Sequence, residues 1–92
     1  MKARVHVPNA PLMRRAHQKM MKAAGTLNDM GIEIVAINIC NYQPTISVQH
    51  CQANSQLFGS WAGRFFDGGK RYVRRDAKLH GCKITWIEQE AA

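Results

Sequence analysis

The stretch KRYVRRDAKLHG, residues 70–81, decides the fold. Val73, Ala77 and His80 recur at spacings of four and three, which places them along one side of a helix, and Gly81 stands where such a helix ends. Asp67-Gly68-Gly69 breaks the chain just before it. Residues 70–80 are therefore expected to form a second helix. Downstream, Cys82, Ile84 and Trp86 alternate with Lys83, Thr85 and Ile87, the period-two pattern of a closing strand.

Upstream, residues 51–63 begin polar and then hold Leu57, Phe58 and Trp61 at spacings that fit either a short helical turn or an irregular loop. Before them, Ile46 and Val48 alternate with Thr45, Ser47 and Gln49, and Asn41-Tyr42-Gln43-Pro44 is a turn. The β-branched run from Gly31 to Cys40 reads as a central strand, partly buried on both faces, that pairs with residues 45–50 as an antiparallel hairpin. Met13, Ala16, Met20, Ala23 or Ala24, Leu27 and Met30 give a first helix one apolar stripe. Asn9 or Ala10 caps it, Pro11 suits its first turn, and Gly31 stops it. Ala3 to Val7 fits a short strand. The order predicts an α/β chain of the α+β kind, a small, mostly antiparallel four-stranded sheet with two helices packed on one face. Ninety-two residues leave room for one domain, 1–92.

Charge adds the first functional indication. The chain carries 13 basic and 6 acidic residues, a net +7, unevenly placed: residues 32–63 contain no Lys or Arg, so the cations fall on the two ends. A neutral sheet flanked by basic elements attracts polyanions, nucleic acid foremost. Arg64, Lys70, Arg71, Arg74, Arg75 and Lys78 are the densest group, six cations in fifteen residues against two acids. On a helix, Arg71, Arg74 or Arg75, and Lys78 would form one ridge that repels itself unless an anion lies along it. Arg14, Arg15, Lys19 and Lys22 line the polar side of the first helix, and with both helices on one sheet face the two ridges would make a clamp around a phosphate backbone. The competing reading of either ridge is an ordinary solvated face.

Phe58, Trp61, Phe65, Phe66 and Tyr72 interleave with these cations and could stack on unpaired bases, although a domain this small is expected to bury most of its aromatics. Tyr42, in the hairpin turn, is expected to be the exposed one. His50 with Cys51, and His80 with Cys82, could supply zinc ligands if the strand ends meet, but neither pair has a finger, ribbon or knuckle spacing, so no metal or other cofactor is expected. The three cysteines, Cys40, Cys51 and Cys82, lack CxxC spacing and read as reduced thiols. No phosphate-binding glycine loop, nucleotide fingerprint or serine elbow is present, and His50 beside Cys51 would point to opposite strand faces, so the chain is expected to bind and not to catalyse. Its longest nearly uncharged apolar stretch, Ile34 to Cys40, is far short of the ~20 residues that cross a bilayer, which predicts a soluble, cytoplasmic protein with no membrane or small-molecule partner.

Gly31-Ile32-Glu33-Ile34-Val35, Pro44-Thr45-Ile46-Ser47-Val48 and Gly81-Cys82-Lys83-Ile84-Thr85-Trp86 mark three successive strands in a way that resembles small phage and prophage proteins. Among these the chain is similar to phage-encoded anti-CRISPR proteins that inhibit the type I-F (Csy) surveillance complex, a likeness running from the Met-rich helix to the Trp86 strand. The resemblance implies a stoichiometric inhibitor in the cytoplasm of a bacterial host. It would dock on Cas protein subunits and stop guide RNA from pairing with target DNA. Many inhibitors of this class are acidic mimics of DNA; at +7 this chain departs from them, and contact with the guide RNA phosphate backbone or with acidic Cas surfaces is implied instead. The alternative expectation is a basic phage regulator that binds free DNA or RNA.

Overall fold

The computed structural model describes residues 10–90, so the strand expected at Ala3 to Val7 lies outside the described residues. One helix, α1 (Ala10–Asp29), is followed by strands β1 (Ile34–Cys40) and β2 (Gln43–Val48), a 3-10 turn (Gln52–Leu57), and strands β3 (Ser60–Asp67), β4 (Lys70–Leu79) and β5 (Cys82–Gln89). The sheet order is β1-β2-β5-β4-β3; every neighbouring pair is antiparallel except β2 and β5, which run parallel. Over the described residues the fold is α+β, one helix on a five-stranded mixed sheet: the second helix expected at 70–80 is strand β4, and β3 and β4 give five strands where the sequence reading has a four-stranded sheet.

The first helix follows its pattern. Ala16, Ala23 and Leu27 are buried, and α1 packs on β1, β2 and β5. At its end, Gly31 adopts φ 77 and donates to the Asn28 carbonyl (3.0 Å), while Ile32 donates to the Leu27 carbonyl (2.9 Å). This is a Schellman stop, in which the left-handed residue lets two orphan carbonyls be satisfied. Ile32 and Leu27 are both buried in the same core cluster, so the hydrogen-bonded stop also delivers a hydrophobic contact.

The core lies between α1 and one sheet face. Ile46 and Val48 of β2, Ala77 of β4, and Cys82, Ile84 and Trp86 of β5 line it, joined by Leu57 from the 3-10 turn. The β2 and β5 alternations are those the sequence predicts. β1 differs: it is an edge strand with Val35 and Ile37 exposed, because β5 takes the place on the far side of β2 that would have buried it.

Residues 70–79 are strand because a four-residue spacing is ambiguous. Val73 and Ala77 share a face in a helix, where i and i+4 align, and also in a strand, where every second residue does. The next position decides: the chain half-buries Leu79, in phase with Val73 and Ala77 at period two, and exposes His80. On either side of β4 a two-residue loop, Gly68-Gly69 and His80-Gly81, has positive φ at both positions, as the tightest hairpin turns require. A strand bounded by two such turns is fixed at both ends.

The result is elongated, 59 × 32 × 18 Å with a radius of gyration of 16.0 Å, against about 12 Å for a compact chain of this length. Pairing explains the shape. The β1–β2 hairpin ends at the level of Val48 and Trp86, whereas β3, β4 and β5 continue to the turn at Gly68 and Gly69. Among the described residues, no helix is long and apolar enough to cross a membrane.

Candidate nucleic-acid interface

Strand geometry regroups the cations. In antiparallel pairs, directly opposed residues share a sheet face, so the pairs Ala77 with Ile84 and Arg75 with Trp86 place Arg71, Arg75 and, across the hairpin, Arg64 on the side that α1 covers elsewhere. Lys70, Arg74 and Lys78 point from the opposite, uncovered face, where Lys83 of β5 lies directly across from Lys78. The single ridge through Arg71, Arg74 or Arg75, and Lys78 does not form, since it required a period of 3.6.

The clamp does not form either. Arg14, Arg15 and Lys22 are exposed on α1, on the opposite side of the sheet from Lys70, Arg74 and Lys78, so the two groups face away from one another. Of the second expected ridge, Arg71 and Arg75 share the α1 side of the sheet with Arg14, Arg15 and Lys22, as does Arg64, while Arg74 and Lys78 lie on the other side with Lys70.

The acids sort the cations further. Arg64 is paired with Glu90 at 2.9 Å, and Arg75 with Glu88 at 3.1 Å. These two bind the chain to itself. Asp76 holds Lys83 at 3.2 Å and approaches Arg74 at 3.9 Å. Among the described residues Lys70, Arg71, Lys78, Arg14, Arg15 and Lys22 have no ion pair.

Glu88 is the most crowded acid. Its carboxylate accepts from the Trp86 indole N–H (3.0 Å) and the Arg75 guanidinium, with His50 at 3.8 Å. The Trp86 bond holds the carboxyl below the usual range; burial pushes the other way, and Arg75 and His50 reinforce the lowering. A carboxyl lowered in the folded state contributes stability above its unfolded value, 4.5, and that stability is lost as pH falls through the folded value. We expect Glu88→Gln to lose about 1 kcal/mol at neutral pH and to show a flatter acid dependence of the urea midpoint below pH 4.5. Parallel curves for the two proteins would show that this carboxyl contributes no pH-dependent stability.

The aromatic residues reverse the expectation of burial. Phe58, Trp61, Phe65 and Phe66 are exposed, while Tyr42 is half-buried. Trp61, Phe65 and Phe66 reach the surface because β3 is the outer strand among the described residues and α1 sits over the other end of the sheet, and Phe58 does so from the loop that precedes β3. On the open face Phe65 stacks on Tyr72, ring centroids 5.3 Å apart and planes 18° from parallel. On the other, the Arg71 guanidinium lies 5.8 Å from the centre of the Phe66 ring. Cations and aromatic rings thus alternate on both sides of one projecting hairpin.

The open face also holds a groove of about 560 Å³ beside this hairpin, between Val35, Ser47, Arg74, Lys83 and Ile87. The zinc alternative finds no geometry: His80 and Cys82 sit at the end of β5 beside Gln43, His50 and Cys51 follow the opposite end of β2, and His80 is 2.9 Å from the Thr26 hydroxyl. No group of three metal-ligating side chains occurs among the described residues.

No family model, curated protein or solved structure matches the chain.

Proposed function

We propose that this protein acts by binding nucleic acid through the open face of the β3–β4 hairpin, and that its target is a type I-F surveillance complex, whose Cas proteins and guide RNA it would occupy so that target DNA cannot pair. The supporting observation is the row of Lys70, Arg74 and Lys78 along one strand of an uncovered sheet face, with Lys83 beside it. Cations that outnumber the acids Asp67 and Asp76 on a surface that no described element covers suit a phosphate backbone. The choice of target follows from the resemblance of the three strand segments to type I-F anti-CRISPRs. The protein then works as a stoichiometric binder, with no catalytic step.

The test is capture of purified type I-F complex by the tagged protein, followed by binding of target DNA to the complex with and without it. Capture together with blocked DNA binding supports the reading, and absence of capture removes the surveillance complex as the target. The second reading, a regulator of free DNA or RNA, is favoured by the accessibility of the whole open face. It predicts binding to bare oligonucleotides whose log affinity falls by about 0.7 per tenfold salt for each phosphate neutralised on a single strand, or about 2.8 if all four cations take part.

A further inference from the structure

We infer that the open face selects unpaired over paired nucleic acid, with the Phe65–Tyr72 stack as the platform for a base and Lys70 and Arg74 as the contacts for the phosphates on either side of it. The inference deepens the nucleic-acid reading and rests on it. Its starting point is the placing of four side chains on one face. Lys70, Tyr72 and Arg74 follow one another at period two along β4, so each cation stands about 7 Å along the strand from the ring between them. Phe65 pairs directly with Tyr72 from β3 and stacks on it at 5.3 Å.

Two aromatic rings already stacked and held at the edge of a sheet are prepared for a third. They need no ordering when a base arrives, and any of the four bases offers a face to them. A base inside a duplex has both faces covered by its neighbours, so this platform rewards only an unpaired one. Charge also argues for this occupant over a second copy of the chain: the face holds Lys70, Arg74, Lys78 and Lys83 against two acids, Asp67 and Asp76, so it stays net positive on a chain of net charge +7, and two copies would repel. Beyond Arg74, the groove lined by Val35, Ile87 and Ser47 continues the path of a strand across the sheet.

The experiment compares a labelled oligouridine with an RNA duplex of the same length, by fluorescence anisotropy, using wild type and a Phe65→Leu/Tyr72→Leu double variant. Leucine keeps an apolar side chain at the exposed Phe65 and the half-buried Tyr72 and removes the ring faces, and far-UV circular dichroism with the thermal midpoint checks the fold. Wild type should prefer the single strand. The variant should lose at least about fivefold in affinity for it while its duplex affinity stays unchanged. Equal wild-type affinity for the two RNAs, or equal losses on both in a folded variant, overturns the inference yet leaves phosphate contact standing. Failure of either RNA to bind in a salt-dependent manner overturns the underlying nucleic-acid reading as well.

Discussion

Gly59→Ala should destabilise the domain by about 3 kcal/mol, the upper range for inserting one carbon into a packed core. Gly59 lies between the 3-10 turn and β3, against the ring of Trp86: a Cβ there would meet Cη2 at overlapping distance and Cζ2 at 2.7 Å. Trp86 cannot yield cheaply. It is 3% exposed, it belongs to the core cluster, and its indole N–H is committed to Glu88. Moving the ring would give up packing and leave a buried donor unsatisfied. Gly25→Ala provides the opposite sign. That glycine is inside α1, with nothing beyond its own helix backbone within 4 Å of where a methyl group would stand, so alanine should add about 0.5–1 kcal/mol through helix propensity alone. Urea unfolding of the two variants decides the matter; similar midpoints would mean that the Gly59–Trp86 approach is not constrained as described.

Reversing the charge of the open face should have the largest effect on binding. A Lys70→Glu/Arg74→Glu/Lys78→Glu protein is expected to lose at least about a hundredfold in affinity for its nucleic-acid target, since hydrogen bonds to charged groups contribute about 1.5 kcal/mol or more apiece. The salt dependence should flatten by about 2 log units per tenfold salt. Arg14→Glu/Arg15→Glu/Lys22→Glu is the matched comparison, because it makes the same change in net charge on the other side of the sheet. It should cost far less. Equal losses would show that net charge and not the hairpin face controls binding. None of the six side chains is buried or ion-paired at close range, so both proteins should fold, and thermal midpoints measured alongside verify it.

The sequence makes α1 legible because six apolar positions and the glycine at 31 agree on one helix and one stop. The β1–β2 hairpin and β5 are equally legible from alternation. β4 is not, because Val73 and Ala77 fit both periods; the deciding evidence is Leu79 and the two positive-φ loops, each two residues long, on either side. The same ambiguity carries into the site. The basic residues are visible in the sequence, but their faces depend on the period, so Arg71 and Arg75 part from Lys70, Arg74 and Lys78 only once β4 is a strand. The exposure of Phe65 and Phe66 has a different origin: it follows from β3 lying at the sheet edge, an outcome of long-range order that local pattern does not encode. A clue was present in the fifteen-residue run itself, where Gly68-Gly69 stands between two segments rich in aromatic and basic residues, a pair of residues suited to a two-residue hairpin turn.

The parallel pairing of β2 with β5 has a kinetic consequence. The β1–β2 hairpin and the β3–β4–β5 meander are each built from near neighbours, whose loops close cheaply. They meet through Thr45, Ile46 and Ser47 against Lys83, Ile84 and Thr85, partners 38 positions apart in the chain. Contacts of that separation carry the entropy of a long loop before they return any energy. The slowest step of folding is therefore expected at the centre of the sheet, where two locally paired halves are joined along three residues, and a substitution at Ile46 or Ile84 should slow folding more than one in either outer hairpin turn.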